Sequence, residues 1–210
     1  MITRVCIIRH GETDWNQEGR IQGQIDIPLN EVGRAQALAM AFKAAHHHFA
    51  SIYSSDLSRA LDTARALATR SLQEVISLAE LRERHYGIFQ NVCKHEAEEQ
   101  FPQAHARYQA RDPHYDFEHG ESLLTFSERV INTFNNLAQK HSGAQIAVIC
   151  HAGLLDIMYR HATQRALETE RDFIIPNCAL NWFHHDGHRW HLDAWDDHQH
   201  LRHVLLESVE

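Results

Sequence analysis

Two histidines, two arginines and a glutamate, scattered along 210 residues, are the side chains of this sequence best suited to chemistry. Arg9 and His10 follow the apolar run Val5-Cys6-Ile7-Ile8, and His151 follows Ile146-Ala147-Val148-Ile149-Cys150 just as abruptly. Arg59 stands in the first turn of a helical pattern, and Glu83 lies in the charged stretch Leu81-Arg82-Glu83-Arg84-His85. Arginines offer planar, permanently charged forks for phosphate oxygens, and a neutral histidine can attack phosphorus and carry the group covalently. Transfer from a phosphomonoester dianion asks mainly for positioning and for neutralisation of charge on equatorial oxygens. These residues would supply both, with no metal and no cofactor. Glu83 is a candidate acid for the leaving alkoxide, since a neighbouring dianion favours the protonated carboxyl. Glu12 and Glu121 adjoin basic residues and are read as orienting them.

Taken singly, each residue has an ordinary account. Arg9 could pair with Glu12 on a surface, Arg59 could be a helix residue beside Asp56 or Asp62, and the histidines could be satisfied loop residues. Glu83 could belong to a solvated loop. The sharper reading needs them to converge, and that depends on the elements that carry them.

Residues 3–8 and 145–150 are short apolar runs suited to strands covered on both faces. Between them the pattern predicts a helix over 30–49 with a stripe of Ala35, Leu38, Phe42, Ala45 and Phe49, and a strand at 51–55. A helix follows with Leu57, Ala60, Leu61, Ala64, Leu67 and Ala68 on one face and Ser55 or Asp56 as its cap. Next come a strand near 73–78, a loop, a weaker helix over 93–110 and a strong helix over 121–140 burying Leu123, Phe126, Val130, Ile131, Phe134 and Leu137. A further helix starts after His151, and Asp186-Gly187 predicts a two-residue hairpin turn. Strands alternating with helices imply an α/β fold, a three-layer α/β/α sandwich around a mostly parallel sheet. Ligands of such sheets bind beyond the carboxyl ends of the strands, where Arg9, His10, Arg59 and His151 all fall.

Composition narrows the partners. The net charge of −8 and the lack of a basic block argue against nucleic acid and anionic membranes. No segment approaches the roughly 18 apolar residues of a membrane span, and the first residues hold too short an apolar run for a signal peptide. Four dispersed cysteines fit a reducing compartment, so the expectation is a cytoplasmic protein. The 19 histidines concentrate partly in 183–200, where their spacing fits no metal-ligand template, and surface histidines on a hairpin are the expected reading. The absence of a Pro/Gly/Ser-rich linker predicts one domain over 1–210. The C-terminal segment, rich in Trp, His and Leu, is suited to cover a sheet edge or to pair two copies as a homodimer.

Six segments in order, RHGETDWN, RIQGQIDIPLNEVG, SSDLSRALDTA, LRERHYG, HGESL and VICHAGLLD, resemble the signature segments of the histidine phosphatase superfamily, the phosphoglycerate-mutase-like fold. The resemblance covers the chain from Arg9 to about Asn181. It implies that His10 is the phosphorylated nucleophile, that Arg9, Arg59 and His151 form the phosphate pocket, and that Glu83 donates the proton and later activates water. It also places Asn16, Gln22 and Gly23 in a substrate-side loop and turns the backbone N–H of Ala152 toward the phosphate. Tyr86 either contacts substrate or packs under its loop. Tyr86 and Lys94 are similar to residues with which the mutases hold phosphoglycerate. The mutases' long insertion with its paired arginines is missing between Gly87 and Gly120, where Arg107 and Arg111 stand apart, and Asn91 stands where relatives usually have glycine. A shorter lid, around 88–119, leaves the site open to water. The expected function is therefore a metal-independent phosphatase acting on a small phosphorylated metabolite. The alternatives are mutase-type transfer, or a non-catalytic phospholigand-binding protein in which Glu83 would turn away from the pocket.

Overall fold

A computed structural model describes residues 1–202 and 204. Its centre is a six-stranded sheet: β1 (Thr3–Arg9), β2 (Ser51–Ser54), β3 (Val75–Ser77), β4 (Gln145–Cys150), β5 (Leu180–His185) and β6 (Trp190–Asp197). The strand order is β3-β2-β4-β1-β5-β6, with β1 to β4 mutually parallel and the β5–β6 hairpin added antiparallel to β1. Parallel strands need covering on both faces, which explains their continuous apolar runs. Val5 and Ile7 of β1 and Ile146, Val148 and Cys150 of β4 face one core; Cys6, Ile8, Ala147 and Ile149 face the other.

The first core is closed by α6 (Leu123–Lys140) and α7 (Ala152–Thr163), the second by α2 (Glu31–Ala44) and α3 (Ser58–Ser71). This is the three-layer arrangement expected. A third, smaller cluster of Ile21, Phe89, Val92, Ala97, Tyr115 and Phe117 fills the segment that includes α4 (Ala97–Gln100) and α5 (Pro102–Gln109). A single turn, α1 (Asp14–Gln17), follows β1, with Thr13 and Asn16 forming its capping box. Among the described residues, no helix is long and apolar enough to cross a membrane.

Several local expectations are corrected. In α2 the buried face is Gly33, Gln36, Ala37, Met40, Ala41 and Ala44, whereas Leu38 and Phe42 are 65% and 59% exposed. Both registers are helical, and close approach to α3 and the sheet selects the one with small side chains; Phe42 instead lies under the Arg70 guanidinium, 4.3 Å from its ring. The helix ends at Ala44, not Phe49. Neither Ser55 nor Asp56 occupies the cap position of α3, which is Leu57; the Ser58 N–H instead donates to Asp26 Oδ1 at 2.8 Å, a cap brought in from a distant loop. Asp56 is taken by a two-bond pair with Arg82. The helix expected over 93–110 breaks into α4 and α5 at Phe101, because the residue before Pro102 is pushed out of helical conformation. The β5–β6 turn spans four residues, 186–189, because Asp186 Oδ1 accepts from the His188 and Arg189 N–H groups and widens it. β6 forms the sheet edge, and the end of the C-terminal segment read as an edge cover or dimer contact lies outside the described residues.

Candidate active site

Strand register builds the centre of the site. Arg9 is paired with Cys150 across the parallel β1–β4 ladder, so the next residue on each strand is a histidine at the same height. The His10 N–H donates to the Cys150 carbonyl at 2.9 Å, and the two imidazole centroids lie 5.1 Å apart. β2 ends on the same edge and feeds α3, whose second residue is Arg59. Three segments far apart in sequence thereby deliver Arg9, His10, Arg59 and His151 to one point.

The hydrogen bonds of His10 fix its tautomer. Its Nδ1 lies 2.7 Å from the Gly11 carbonyl. A carbonyl only accepts, so Nδ1 carries the proton and Nε2 keeps its lone pair. Burial, then the Arg59 and Arg9 charges, holds His10 well below the ordinary histidine range, so the ring is neutral at neutral pH. His151 is also held well below it, by burial and then by Arg59, His10 and Arg9.

The arginines are held by the backbone. Arg59 donates from Nη1 to the Ile25 carbonyl at 2.8 Å and from Nη2 to the Gly23 carbonyl at 2.7 Å, which ties loop 22–26 to α3. Arg9 Nη1 donates to the Ile175 carbonyl at 2.7 Å. Burial pushes both guanidiniums down to about 10, so both stay charged at neutral pH. Arg9 Nε, Arg59 Nε, Gln22 Oε1 and both ring nitrogens of His151 are buried and find no hydrogen-bond partner among the described residues. Buried polar atoms are rarely left so. The Nε–H groups of the two desolvated guanidiniums and the one ring N–H of neutral His151 are the donors among them, and together they describe a receptor for an anion rich in oxygen acceptors.

Glu83 lies against the start of α7. Its Oε2 accepts from the Gly153 N–H at 3.0 Å and its Oε1 from the Arg84 N–H at 2.8 Å. The carboxyl fits there because residue 153 has no side chain: a Cβ would come within 2.2 Å of Glu83 Oε1. Its loop is clamped from behind by Arg129, which pairs with both oxygens of Glu121 and donates to the Glu80 and Arg82 carbonyls. Glu121 thus orients a basic residue as expected, but Glu12 does not; its carboxylate accepts from Asn30 Nδ2, because α2 packs directly on the 11–12 backbone.

One cavity of about 530 Å³ is lined by Arg9, His10, Asn16, Gln22, Gly23, Arg59, Glu83, Tyr86 and Ala152, with His151 beneath it against His10. All ten residues singled out from the sequence therefore meet. The Tyr86 ring also packs edge-on against Phe117 and Tyr108, so contact with the cavity and packing under the loop coexist. Arg84, Tyr108, Asp156, Glu170, Arg171 and residues 173–175 also line the cavity, and no pattern in the sequence marks them. Arg111 lines it as well and pairs with Asp156 at 2.7 Å. On the β5–β6 hairpin, His184 and His191 stack and each bonds an aspartate, Asp193 and Asp186.

A mostly parallel sheet that pairs a neutral, tautomer-locked histidine with an anion receptor at its carboxyl edge brings together the groups that phosphoryl transfer asks for. The chain belongs to the histidine phosphatase superfamily (branch 1), whose family profile matches residues 5–198. A metal-independent phosphoserine phosphatase of Arabidopsis thaliana is 36% identical over 206 residues, 97% of this chain and 85% of that protein. Among solved structures, Bacillus stearothermophilus YhfR superposes with a TM-score of 0.88 at 26% identity, over 95% of this chain and 99% of the other. A phosphoserine phosphatase of Entamoeba histolytica, solved as a histidine-to-alanine mutant in complex with phosphoserine, gives a TM-score of 0.86 at 25% identity, over 95% and 99% of the two chains.

Proposed function

We propose that this protein is a phosphatase that hydrolyses a small phosphomonoester through a phosphohistidine at His10, with phosphoserine as the first substrate to try. The observation that carries the reading is the locked Nδ1–H of His10, which leaves the Nε2 lone pair among the unpartnered donors of Arg9, Arg59 and His151. In the first step Nε2 attacks phosphorus, the bond from phosphorus to the ester oxygen breaks, and Glu83 gives its proton to the departing alkoxide. In the second, Glu83 takes a proton from water as that water attacks the phosphohistidine, releasing inorganic phosphate and restoring neutral His10. Arg9, Arg59 and His151 neutralise the equatorial oxygens in both steps.

Glu83 borders the cavity, which favours catalysis over simple binding of a phospholigand. Residues 88–119 serve in this reading as a short lid on a single catalytic domain, and the modest cover favours water over a second hydroxyl as acceptor. Four unpaired, buried cysteines suit work in the cytoplasm. The test is phosphate release in EDTA from a panel including phosphoserine and 3-phosphoglycerate, for wild type and His10→Ala. Wild type is expected to release phosphate and His10→Ala to lose at least about a thousandfold in rate with an unchanged thermal midpoint. Wild-type rates in the variant would exclude the phosphohistidine route, and silence of both proteins would turn the reading to transfer or binding.

A further inference from the structure

Two buried polar side chains stand behind the nucleophile without facing the cavity. Thr63 of α3 is fully buried, and Gln36 is buried on the packed face of α2 among Gly33, Ala37 and Met40. Neither lines the cavity. Both reach the backbone of residues 10–12, where every polar group is engaged. The His10 N–H donates to the Cys150 carbonyl, and the His10 carbonyl accepts from Asn177 Nδ2 at 2.7 Å. The Gly11 N–H donates to Thr63 Oγ1 at 3.0 Å, and the Glu12 N–H to Gln36 Oε1 at 2.9 Å. The Glu12 carbonyl accepts from the Asn30 N–H at 3.0 Å. The remaining group is the Gly11 carbonyl, whose partner is His10 Nδ1.

Thr63 and Gln36 thus pin the two peptide units on either side of Gly11. A peptide unit is planar, with its C=O and N–H on opposite sides. By accepting from the Glu12 N–H, Gln36 turns the Gly11 carbonyl of the same unit the other way, onto the imidazole. Thr63 fixes the preceding unit; its own proton goes to the Arg59 carbonyl at 2.7 Å, which leaves its oxygen as an acceptor for Gly11. Residue 11 has to be small, since a Cβ would lie 2.4 Å from the Gly33 carbonyl oxygen, and a glycine backbone is the least able to hold its own torsions. Its direction must come from outside partners.

We infer that Thr63 and Gln36 are positioning residues for the nucleophile: they hold the Gly11 carbonyl where it keeps the proton on Nδ1 of His10 and the lone pair on Nε2. The inference rests on the phosphohistidine reading above and deepens it, adding no group to the cavity. A purely structural role, the pairing of buried N–H groups, would bear on stability and leave the tautomer alone.

The test combines steady-state kinetics, thermal melting and ¹⁵N NMR of histidine-labelled protein, in which the His10 ring is the signal missing from His10→Ala. Wild type is expected to show the Nδ1–H tautomer. Thr63→Val keeps the side-chain shape without the oxygen, and Gln36→Met keeps the length without the acceptor. Each is expected to populate the Nε2–H tautomer and to lower kcat about tenfold with KM within about twofold, because a share of the rings then lacks the attacking lone pair. Thr63→Ser retains the oxygen and is expected to recover most of the lost kcat. An Nε2–H tautomer in wild type overturns the inference, as does an Nδ1–H tautomer with wild-type kcat in both Thr63→Val and Gln36→Met, whatever their melting temperatures. A Thr63→Ser as slow as Thr63→Val would trace the loss to packing and overturn it as well. If one of the two variants does not fold, the other reads the same quantities from its own peptide unit. Phosphate release by wild type is scored separately: no turnover, together with a tautomer that still shifts in the variants, excludes hydrolysis and leaves the positioning intact.

Discussion

At the scale of single residues, the site works through what its neighbours forbid. His10 cannot place its proton on Nε2 because the Gly11 carbonyl claims Nδ1–H, and it resists protonation because two guanidiniums and burial oppose a further positive charge. Glu83 cannot swing, since backbone N–H groups of Arg84 and Gly153 hold both of its oxygens. Gly153 makes that position available. In a helix, alanine would ordinarily be favoured over glycine by up to about 1 kcal/mol. Here the added Cβ would meet Glu83 Oε1 at 2.2 Å and the Phe126 ring at 3.0 Å. Gly153→Ala is therefore expected to lower kcat by at least about tenfold through displacement of Glu83. Steady-state kinetics beside a thermal melt decide it; a variant with full kcat would show that the placement of Glu83 does not matter.

At the scale of elements, the parallel ladder of β1 and β4 and the seating of α2 decide the geometry. One step of register slip would turn a strand's residues to the opposite face of the sheet and part His10 from His151. The seating of α2 depends on Gly33, where a Cβ would lie 2.0 Å from the Glu12 carbonyl oxygen, a backbone atom that has little room to yield. Gly33→Ala is expected to destabilise by about 2 kcal/mol or more, a drop of roughly 4–8 °C in Tm for a chain of this size, despite alanine's better helix propensity. A melting curve at or above wild type would refute this seating. The same packing explains why the α2 stripe misled. Alanines recur along both helical registers of 31–45, and only contact with α3 and the sheet selects Ala37, Met40, Ala41 and Ala44 over Leu38 and Phe42.

At the scale of the whole molecule, charge is divided: a net −8 overall, with cations focused in one cleft. Histidine titration is divided in a similar way. His10 and His151 sit well below the ordinary value of 6.5, and burial lowers His47, His141, His161, His185 and His200 as well, while Asp196 raises His198. Just below pH 6.5 the unfolded chain therefore binds more protons than the folded one. Stability is then complete above pH 6.5 and falls as pH drops toward the folded-state values, with His198 opposing weakly. Thermal midpoints measured from pH 8 to pH 5 should fall from about pH 6.5 downward, and more shallowly in His151→Asn. A flat profile through that interval would contradict the burial of neutral histidines.

The sequence by itself determined the alternation of strands and helices, the α/β class and the ten residues that meet in the cavity, because apolar runs, helical periodicity and motif order are local properties of a chain. It also carried the family, since six ordered segments leave little room for coincidence. Tertiary structure alone decided what depends on contact between distant segments. Asp26 caps α3 although Ser55 and Asp56 stand closer in sequence, Glu12 serves Asn30 and not an arginine, and the face of α2 is selected by its neighbours. Residues 173–175 reach the cavity because Arg9 holds the Ile175 carbonyl and Phe173 stacks on Tyr159, a placement that no periodicity encodes.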